Sequence, residues 1–288
     1  MKTAVNKFRD GFRARLRHPF SLLAFLLVWA AMLLTVAILA FIVIHILVNG
    51  IPYLTPSLFE WEYTSDNCSV VFAIINTLYI VGMALLIGVP IGIFAAIYLV
   101  EYAKRGNRVV RIIRLTTETL SGIPSIVYGL FGFIFFNNAL GWGYSMMSGS
   151  FTVGIMILPL VIRSTEEALK SVPDSFREGS FGLGAGKLRT VFRVVLPSAI
   201  PGILAGIILA IGRVVGETAA LIFTAGSITK VASGLFGAGR TLAIHMYLLS
   251  NEGLHVNESY ATAVVLLVTV LLINLLASFV AKKLQKKF

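Results

Sequence analysis

Two charged residues, Arg213 and Glu217, stand in an apolar run, residues 194–223, that otherwise resembles a membrane span. A charge near the bilayer centre costs about 2.5–3.5 kcal/mol on insertion scales and usually serves a function. On one continuous helix the two side chains would share a face and could pair. Arginine stays charged and presents a planar fork that suits phosphate oxygens. The pair predicts either an anion pathway, with Glu217 holding Arg213, or a structural ion pair between subunits.

Hydroxyl groups occur in a second unusual stretch, SGIPSIVYGLFG, at residues 121–132. Gly122 and Pro124 make this stretch a poor uninterrupted helix, because proline lacks a backbone donor. Irregular backbone at membrane depth is tolerated where protein or a water-filled cavity satisfies it. We therefore expect either a packing kink or a wall of a translocation path, with hydroxyls from Ser121, Ser125 and Tyr128.

Other chemistries lack the residues that they need. The four histidines are scattered and Cys68 is the only cysteine, so no catalytic residues and no metal site are predicted. GLGAGK at residues 182–187 fails as a phosphate-binding loop, because Phe181 stands where the first glycine should be and Leu188 replaces the Ser or Thr. We expect no bound cofactor and no enzyme activity in this chain.

The composition requires a bilayer. Hydrophobic residues make up 57% of the 288 residues and charged residues 13%, against about 25% charged in a typical soluble domain. The apolar runs predict an all-α integral membrane protein with six transmembrane helices, at residues 22–48, 70–100, 115–136, 151–162, 194–223 and 261–281. The fourth run is too short unless residues 146–150 and the flank beyond 162 contribute.

The net charge of +11 follows membrane orientation, and it does not indicate nucleic-acid binding. All Lys and Arg residues except Arg213, Lys230 and Arg240 fall in the N-terminal tail, the second and fourth loops and the C-terminus. Positive charge favours the cytoplasmic side. We therefore predict cytoplasmic termini, a tail at residues 1–21 and a six-helix domain at 22–288. Arg163 is either a pathway cation or an ordinary inside-positive residue.

The basic loop at residues 163–197 suits a docking element. Its apolar residues alternate with charges, and its glycines allow a turn between two short helices. Such an amphipathic pair fits a groove on a partner protein, and the alternative is a loop lying along the membrane surface. The apolar positions are Phe176, Phe181, Leu183, Leu188, Val191 and Phe192.

The same loop resembles the EAA motif, E-A-A-x3-G-x9-I-x-L-P, of permease subunits of ATP-binding-cassette importers. The motif's Glu, Gly and Leu-Pro are matched at the right spacing. Its two alanines are replaced by small residues and its isoleucine by valine. The corresponding residues are Glu178, Gly179, Ser180, Gly184, Val194, Leu196 and Pro197.

Residues 121–132 and GRVVGETAAL at 212–221 resemble phosphate importer permeases, of the PstA type more than the PstC type. The resemblance covers nearly the whole chain and implies the type I importer permease fold in a bacterial inner membrane. It also implies a heterodimer with a PstC-type permease, a homodimeric PstB-type ATPase and a PstS-type phosphate-binding protein, periplasmic or lipid-anchored. Arg213, Glu217 and Arg163 match positions that the family uses in transport of inorganic phosphate.

Two alternatives compete with this hypothesis. The first keeps the family and changes the anion to sulfate, molybdate or phosphonate, which the central loop does not distinguish. The second is a self-sufficient, ion-coupled carrier. The chain shows no inverted repeat, and a single intramembrane ion pair is little for a proton relay.

Overall fold

A computed structural model of the protein describes residues 19–104 and 106–285. Most of the predicted basic tail, residues 1–18, lies outside the described part. All regular structure in the described part is helical. The chain divides into two units, residues 1–49 and residues 50–288. The first contains α1 (Pro19–Gly50), which is apolar and long enough to cross a bilayer.

The second unit contains ten α-helices within the described residues, and two short 3-10 helices, Ile51–Tyr53 and Pro56–Phe59, precede them. Short π-helical stretches extend α2 through Tyr102 and α4 through Ala139, and another, Val191–Val195, joins α7 to α8. The helices are α2 (Val71–Ile97), α3 (Arg108–Ser121), α4 (Ser125–Gly132), α5 (Met146–Lys170), α6 (Asp174–Gly182), α7 (Lys187–Thr190), α8 (Leu196–Val215), α9 (Ala219–Thr224), α10 (Leu242–Glu252) and α11 (Val256–Gln285).

The prediction of six spans is confirmed. Five helical segments are long and apolar enough to cross a membrane, and the pair α3–α4, bent by 105°, makes the sixth when it is counted as one span. The bend falls at residues 122–124, where glycine and proline predicted an interruption. The five continuous segments are Phe20–Tyr53, Val71–Tyr102, Met146–Lys170, Lys187–Val215 and Val256–Lys283.

The fourth span is longer than its apolar core. Helix α5 begins at Met146, where the Ser145 hydroxyl caps it by accepting a hydrogen bond from the Ser148 amide at 3.2 Å. It continues to Lys170, so both flanks contribute, as the short core required. Arg163 consequently lies inside the helix and not in the loop that follows it.

The expected end of the fifth span is wrong. The span ends at Val215 rather than continuing to residue 223, and a separate short helix, α9, follows. The connection between α9 and the sixth span contains a further helix, α10, whose buried residues are Leu242, Ala243, Ile244, His245 and Leu249. Its apolar run LAIHMYLL is the signal that could have identified it.

The core of the second unit lies where α2, α5 and α8 pack together. Buried side chains from all three helices meet there, among them Ile80, Ile157 and Ala210. A second apolar cluster, around Leu169 and Val195, joins the end of α5 to the beginning of α8. This second cluster supports the loop that carries α6 and α7.

Candidate functional site

The two intramembrane charges are separated by a break in the helix. Glu217 lies beyond the end of α8 and is buried, and its Oε1 accepts a hydrogen bond from the Ala220 amide at 3.0 Å. The carboxylate thus satisfies a free amide at the start of α9. No ion pair joins Arg213 to Glu217 among the described residues, so the expected pairing on one helix face is wrong. Arg213 is exposed on the surface of this chain.

Close packing of α9 on α4 positions the break. A Cβ on Gly129 would lie 2.8 Å from the Ala220 Cα atom, so only glycine allows the two backbones to approach this closely. Tyr128, next to Gly129, is buried and near enough to Arg213 to interact with it electrostatically. The structure therefore brings together three of the predicted pathway residues: Arg213, Glu217 and Tyr128.

Two of the three predicted hydroxyls donate their hydrogens within the chain. The Tyr128 hydroxyl donates to the Leu120 carbonyl at 2.9 Å, across the bend between α3 and α4. The Ser121 hydroxyl donates to the Glu118 carbonyl at 2.7 Å. In this conformation neither hydrogen is available to an anion. Ser125 is half-buried at the start of α4.

Ser121 and Arg163 line a different site, a cleft of about 250 Å³ between α3 and α5. Arg163 is exposed and pairs with Glu167 at 3.1 Å, one helical turn away. An exposed pair of this type contributes little to stability. Five of the six predicted pathway residues thus form two groups, one at the helix break and one in this cleft, and Ser125 belongs to neither.

A buried carboxylate that the sequence reasoning missed lies beside the cleft. Glu166 Oε2 is 3.4 Å from Arg114 of α3 and 2.6 Å from Lys170 of its own helix. These contacts tie the charged face of α3 to the end of α5. The consecutive acids Glu166 and Glu167 in a basic stretch were the available sequence signal.

The α6–α7 segment, residues 174–190, has the predicted form of two short helices joined by a glycine turn. Gly184 adopts φ +81°, a conformation that glycine reaches without strain. Glu178 and Gly179 are exposed, while the Ser180 hydroxyl contacts the Thr190 hydroxyl at 2.9 Å. Leu196 and Pro197 are half-buried at the start of α8.

The apolar positions of this segment divide as a docking surface would. Phe176, Phe181, Leu183 and Leu188 are exposed, as is Phe192 just beyond the segment, and Leu183 is 91% exposed. Val191, which was predicted to join them, is buried in the core, and this part of the prediction is wrong. The exposed side chains form an apolar surface that this chain does not cover itself.

A buried polar cluster elsewhere was not predicted. The Arg240 guanidinium lies 5.2 Å from the ring centre of Tyr63 and 5.5 Å from that of Phe72. The His245 ring nitrogen Nε2 lies 3.1 Å from the Cys68 carbonyl. Burial and the Arg240 charge lower the pKa of His245 to about 3, so this imidazole is neutral at physiological pH.

Nothing in the described part of the chain groups three His, Cys, Asp or Glu side chains as a metal ion would require. The recognisable chemistry is therefore electrostatic: an exposed arginine at a helix break, an ion network beside a cleft and a helical segment with an exposed apolar surface. This combination suits movement of a charged solute and contact with a partner protein.

Comparison with known proteins assigns this architecture. The family model described as "Binding-protein-dependent transport system inner membrane component" matches residues 88–288. The probable ABC transporter permease protein YqgI of Bacillus subtilis (strain 168) is 35% identical over 275 residues, 87% of this chain and 91% of the relative. The phosphate transport system permease protein PstA 1 of Mycobacterium tuberculosis (strain CDC 1551 / Oshkosh) is 37% identical over 211 residues, 72% of this chain and 69% of the relative.

A solved structure has the same fold. A bacterial alginate ABC transporter in complex with an alginate pentasaccharide-bound periplasmic protein aligns with a TM-score of 0.66 at 16% identity, covering 96% of this chain and 98% of that one. The chain therefore belongs to the family of binding-protein-dependent transport system inner membrane components, as a multi-pass permease subunit, not an enzyme, that works with a separate ATPase and a substrate-binding protein.

Proposed function

We propose that this permease forms half of the translocation pathway for inorganic phosphate in a bacterial inner membrane. Its partners in the proposal are a PstC-type permease, a homodimeric PstB-type ATPase and a PstS-type phosphate-binding protein. The relative named as a phosphate transport system permease and the similarity of residues 121–132 and 212–221 to such permeases support this substrate.

One observation carries the proposal: an intramembrane arginine is exposed while the nearby carboxylate is occupied elsewhere. Glu217 accepts a backbone hydrogen bond from Ala220, and it forms no ion pair with Arg213 within the described residues. The Arg213 guanidinium therefore presents its donors to the surface of this chain. A phosphate oxyanion is a ligand whose geometry matches that planar fork.

The α6–α7 segment is the proposed docking site for the ATPase. Its exposed apolar side chains suit a groove on a partner, and Glu178 stands among them in the EAA-like motif. Because the ATPase works in the cytoplasm, the proposal puts this segment and both termini on the cytoplasmic side. The N-terminal basic tail then faces the anionic leaflet.

Uptake by the reconstituted four-component importer tests the proposed substrate. Arg213→Ala is expected to reduce phosphate uptake about 10- to 100-fold, which is the scale of losing hydrogen bonds from a charged donor. Arg111→Ala removes an exposed arginine from α3 and serves as the matched control. Copurification of the ATPase with each variant verifies assembly.

Competing oxyanions and the energy source for uptake distinguish the alternatives. Excess sulfate or molybdate should leave labelled phosphate uptake unchanged, and stronger competition by either than by phosphate would indicate another oxyanion. Uptake by this chain alone under an ion gradient would favour the carrier. Wild-type uptake by an assembled Arg213→Ala complex would contradict a role for Arg213 in the pathway.

A further inference from the structure

Arg177 makes five side-chain hydrogen bonds, more than any of the predicted pathway residues. It lies on α6, one residue before Glu178. Its Nε and Nη2 donate to the Glu101 Oε1 atom at 3.1 and 2.7 Å. Both side chains are largely buried, with exposed fractions of 15% and 9%. Glu101 lies in the π-helical end of the second span.

The same guanidinium also holds the end of the fourth span. Nη2 donates to the Leu169 carbonyl at 3.0 Å, and Nη1 donates to the Val172 carbonyl at 2.8 Å. Nη1 also donates to Asp174 at the start of α6, at 3.1 Å. Carbonyls at a helix end lack partners within the helix. Arg177 therefore connects three elements: the end of α2, the end of α5 and helix α6.

Helix α6 is also attached to the start of the fifth span and, along the chain, to α5. None of its residues is buried, and its large apolar side chains point outward, to the surface proposed for the ATPase. The Ser180 hydroxyl contacts Thr190 of α7, which begins the fifth span Lys187–Val215. The Arg177–Glu101 ion pair therefore gives a force applied to α6 a route to α2, and the bonds to Leu169 and Val172 reinforce the chain link to α5.

We propose that Arg177 and Glu101 form a positioning clamp that transmits movement of α6 to the spans α2 and α5. A planar guanidinium with five well-directed contacts resists both sliding and rotation of α6 against the two span ends. The clamp rests on the proposed docking of the ATPase at α6 and not on the identity of the transported anion. Loss of the clamp lets α6 follow the ATPase while the spans stay behind.

The clamp is tested by measuring how much phosphate is transported per ATP hydrolysed. The assembled importer is used in proteoliposomes. Glu101→Gln and Arg177→Lys each keep a polar side chain of similar length, so folding and ATPase binding should persist. Both variants are expected to lower phosphate uptake per ATP about two- to thirtyfold, the scale at which residues between coupled sites act. The basal ATPase rate should stay near the wild-type value.

A matched control removes a carboxylate from another side-chain contact. Glu258 Oε2 of α11 lies 3.7 Å from His255 Nδ1, so Glu258→Gln should leave uptake per ATP unchanged. An unchanged ratio in assembled Glu101→Gln and Arg177→Lys complexes overturns the clamp. A variant that loses the ATPase altogether also overturns it, because the contacts would then be needed for assembly and not for transmission.

A distance measurement tests the clamp without reference to the substrate. Spin labels at Ser175→Cys on α6 and Tyr98→Cys at the end of α2 report whether the two elements move together, and both native side chains are exposed. The distribution of distances between the two labels should stay narrow through ATP binding in the wild type. It should broaden in Glu101→Gln. Identical distributions in both proteins overturn the clamp, whereas absent phosphate uptake by the wild type contradicts only the proposed substrate.

Discussion

His245 combines a titratable ring with complete burial. It is enclosed by Tyr63 and Phe72, which stack edge-on against it, by the Cys68 carbonyl and by the positive charge of Arg240. Desolvation is the main cause of its lowered pKa, and the Arg240 charge adds to it. Protonation would place a second cation in a site that already holds one.

The stability of the protein should therefore depend on pH through His245. An unfolded chain takes up this proton below about pH 6.5, whereas the folded chain resists it until about pH 3. Neutral His245 therefore contributes fully to the stability of the folded protein above pH 6.5. This contribution is lost as the pH falls towards 3. We expect the thermal denaturation midpoint of the detergent-solubilised protein to decline over this range.

Two substitutions isolate the effect of His245. His245→Gln removes the titrating ring and keeps a donor for the Cys68 carbonyl, so its midpoint should vary less with pH. His255→Gln removes an imidazole from a more exposed position beside Glu258 and should behave as the wild type. Parallel decline in all three proteins would mean that other groups govern the pH dependence.

At the scale of elements, the approach of α9 to α4 depends on one missing methyl group. A Cβ on Gly129 would meet the backbone of Ala220 at 2.8 Å, and a backbone atom cannot move aside as a side chain can. This contact lies just after the helix break that follows Val215. Packing of α9 on α4 therefore links a structural glycine to the proposed pathway.

Gly129→Ala should separate α9 from α4. We expect it to cost about 1–3 kcal/mol of stability, as overpacking does, and to lower phosphate uptake. Gly82→Ala is the matched control, because no atom lies within 4 Å of the added Cβ; it should be neutral or gain up to about 1 kcal/mol from helix propensity. Equal denaturation midpoints for the two variants would contradict the close contact.

The two helix breaks, at residues 122–124 and after Val215, differ in how far the sequence predicts them. Gly122 and Pro124 break the third span through local backbone chemistry, so the interruption was readable from residue types. The break after Val215 depends on Glu217 accepting a bond from Ala220 and on packing against Gly129. The four-residue spacing of Arg213 and Glu217 fits a continuous helix equally well. Tertiary contacts therefore decide whether the helix continues or breaks.

The ion pairs show more clearly that residue spacing does not predict tertiary contacts. The mixture of apolar, charged and glycine residues predicted the α6–α7 segment, its turn and most of its exposed apolar residues, and the EAA-like spacing supported the same segment. The partner of Arg177 is Glu101, 76 positions earlier in the chain. No local pattern relates two such positions, because only the assembly of α2, α5 and α6 brings them together.

At the scale of the whole molecule, the contacts of the second unit support two opposite sets of loops. Glu101 and Arg114, near the second loop, contact Arg177 and Glu166, near the fourth. Elsewhere, the Asn76 amide donates to the carbonyls of Lys230 and Arg240. The loops predicted to be cytoplasmic thus meet one another, as do segments predicted to lie outside.

Thiol labelling should assign these two sets to the two sides of the membrane. Leu183 in the α6–α7 segment is 91% exposed and Leu254 between α10 and α11 is 82% exposed, so Leu183→Cys and Leu254→Cys give accessible thiols. We expect a membrane-impermeant maleimide to modify Leu254→Cys in intact cells and Leu183→Cys only after the membrane is opened.

The native cysteine should not obscure the result. Cys68 is completely buried, and burial raises the pKa of its thiol to about 11, so little reactive thiolate forms at neutral pH. Coexpression of the ATPase should slow labelling of Leu183→Cys in opened membranes, since the docked subunit would cover that surface. Labelling of Leu183→Cys in intact cells would place α6 where no cytoplasmic ATPase reaches it, and both the docking site and the Arg177 clamp would then lose their basis.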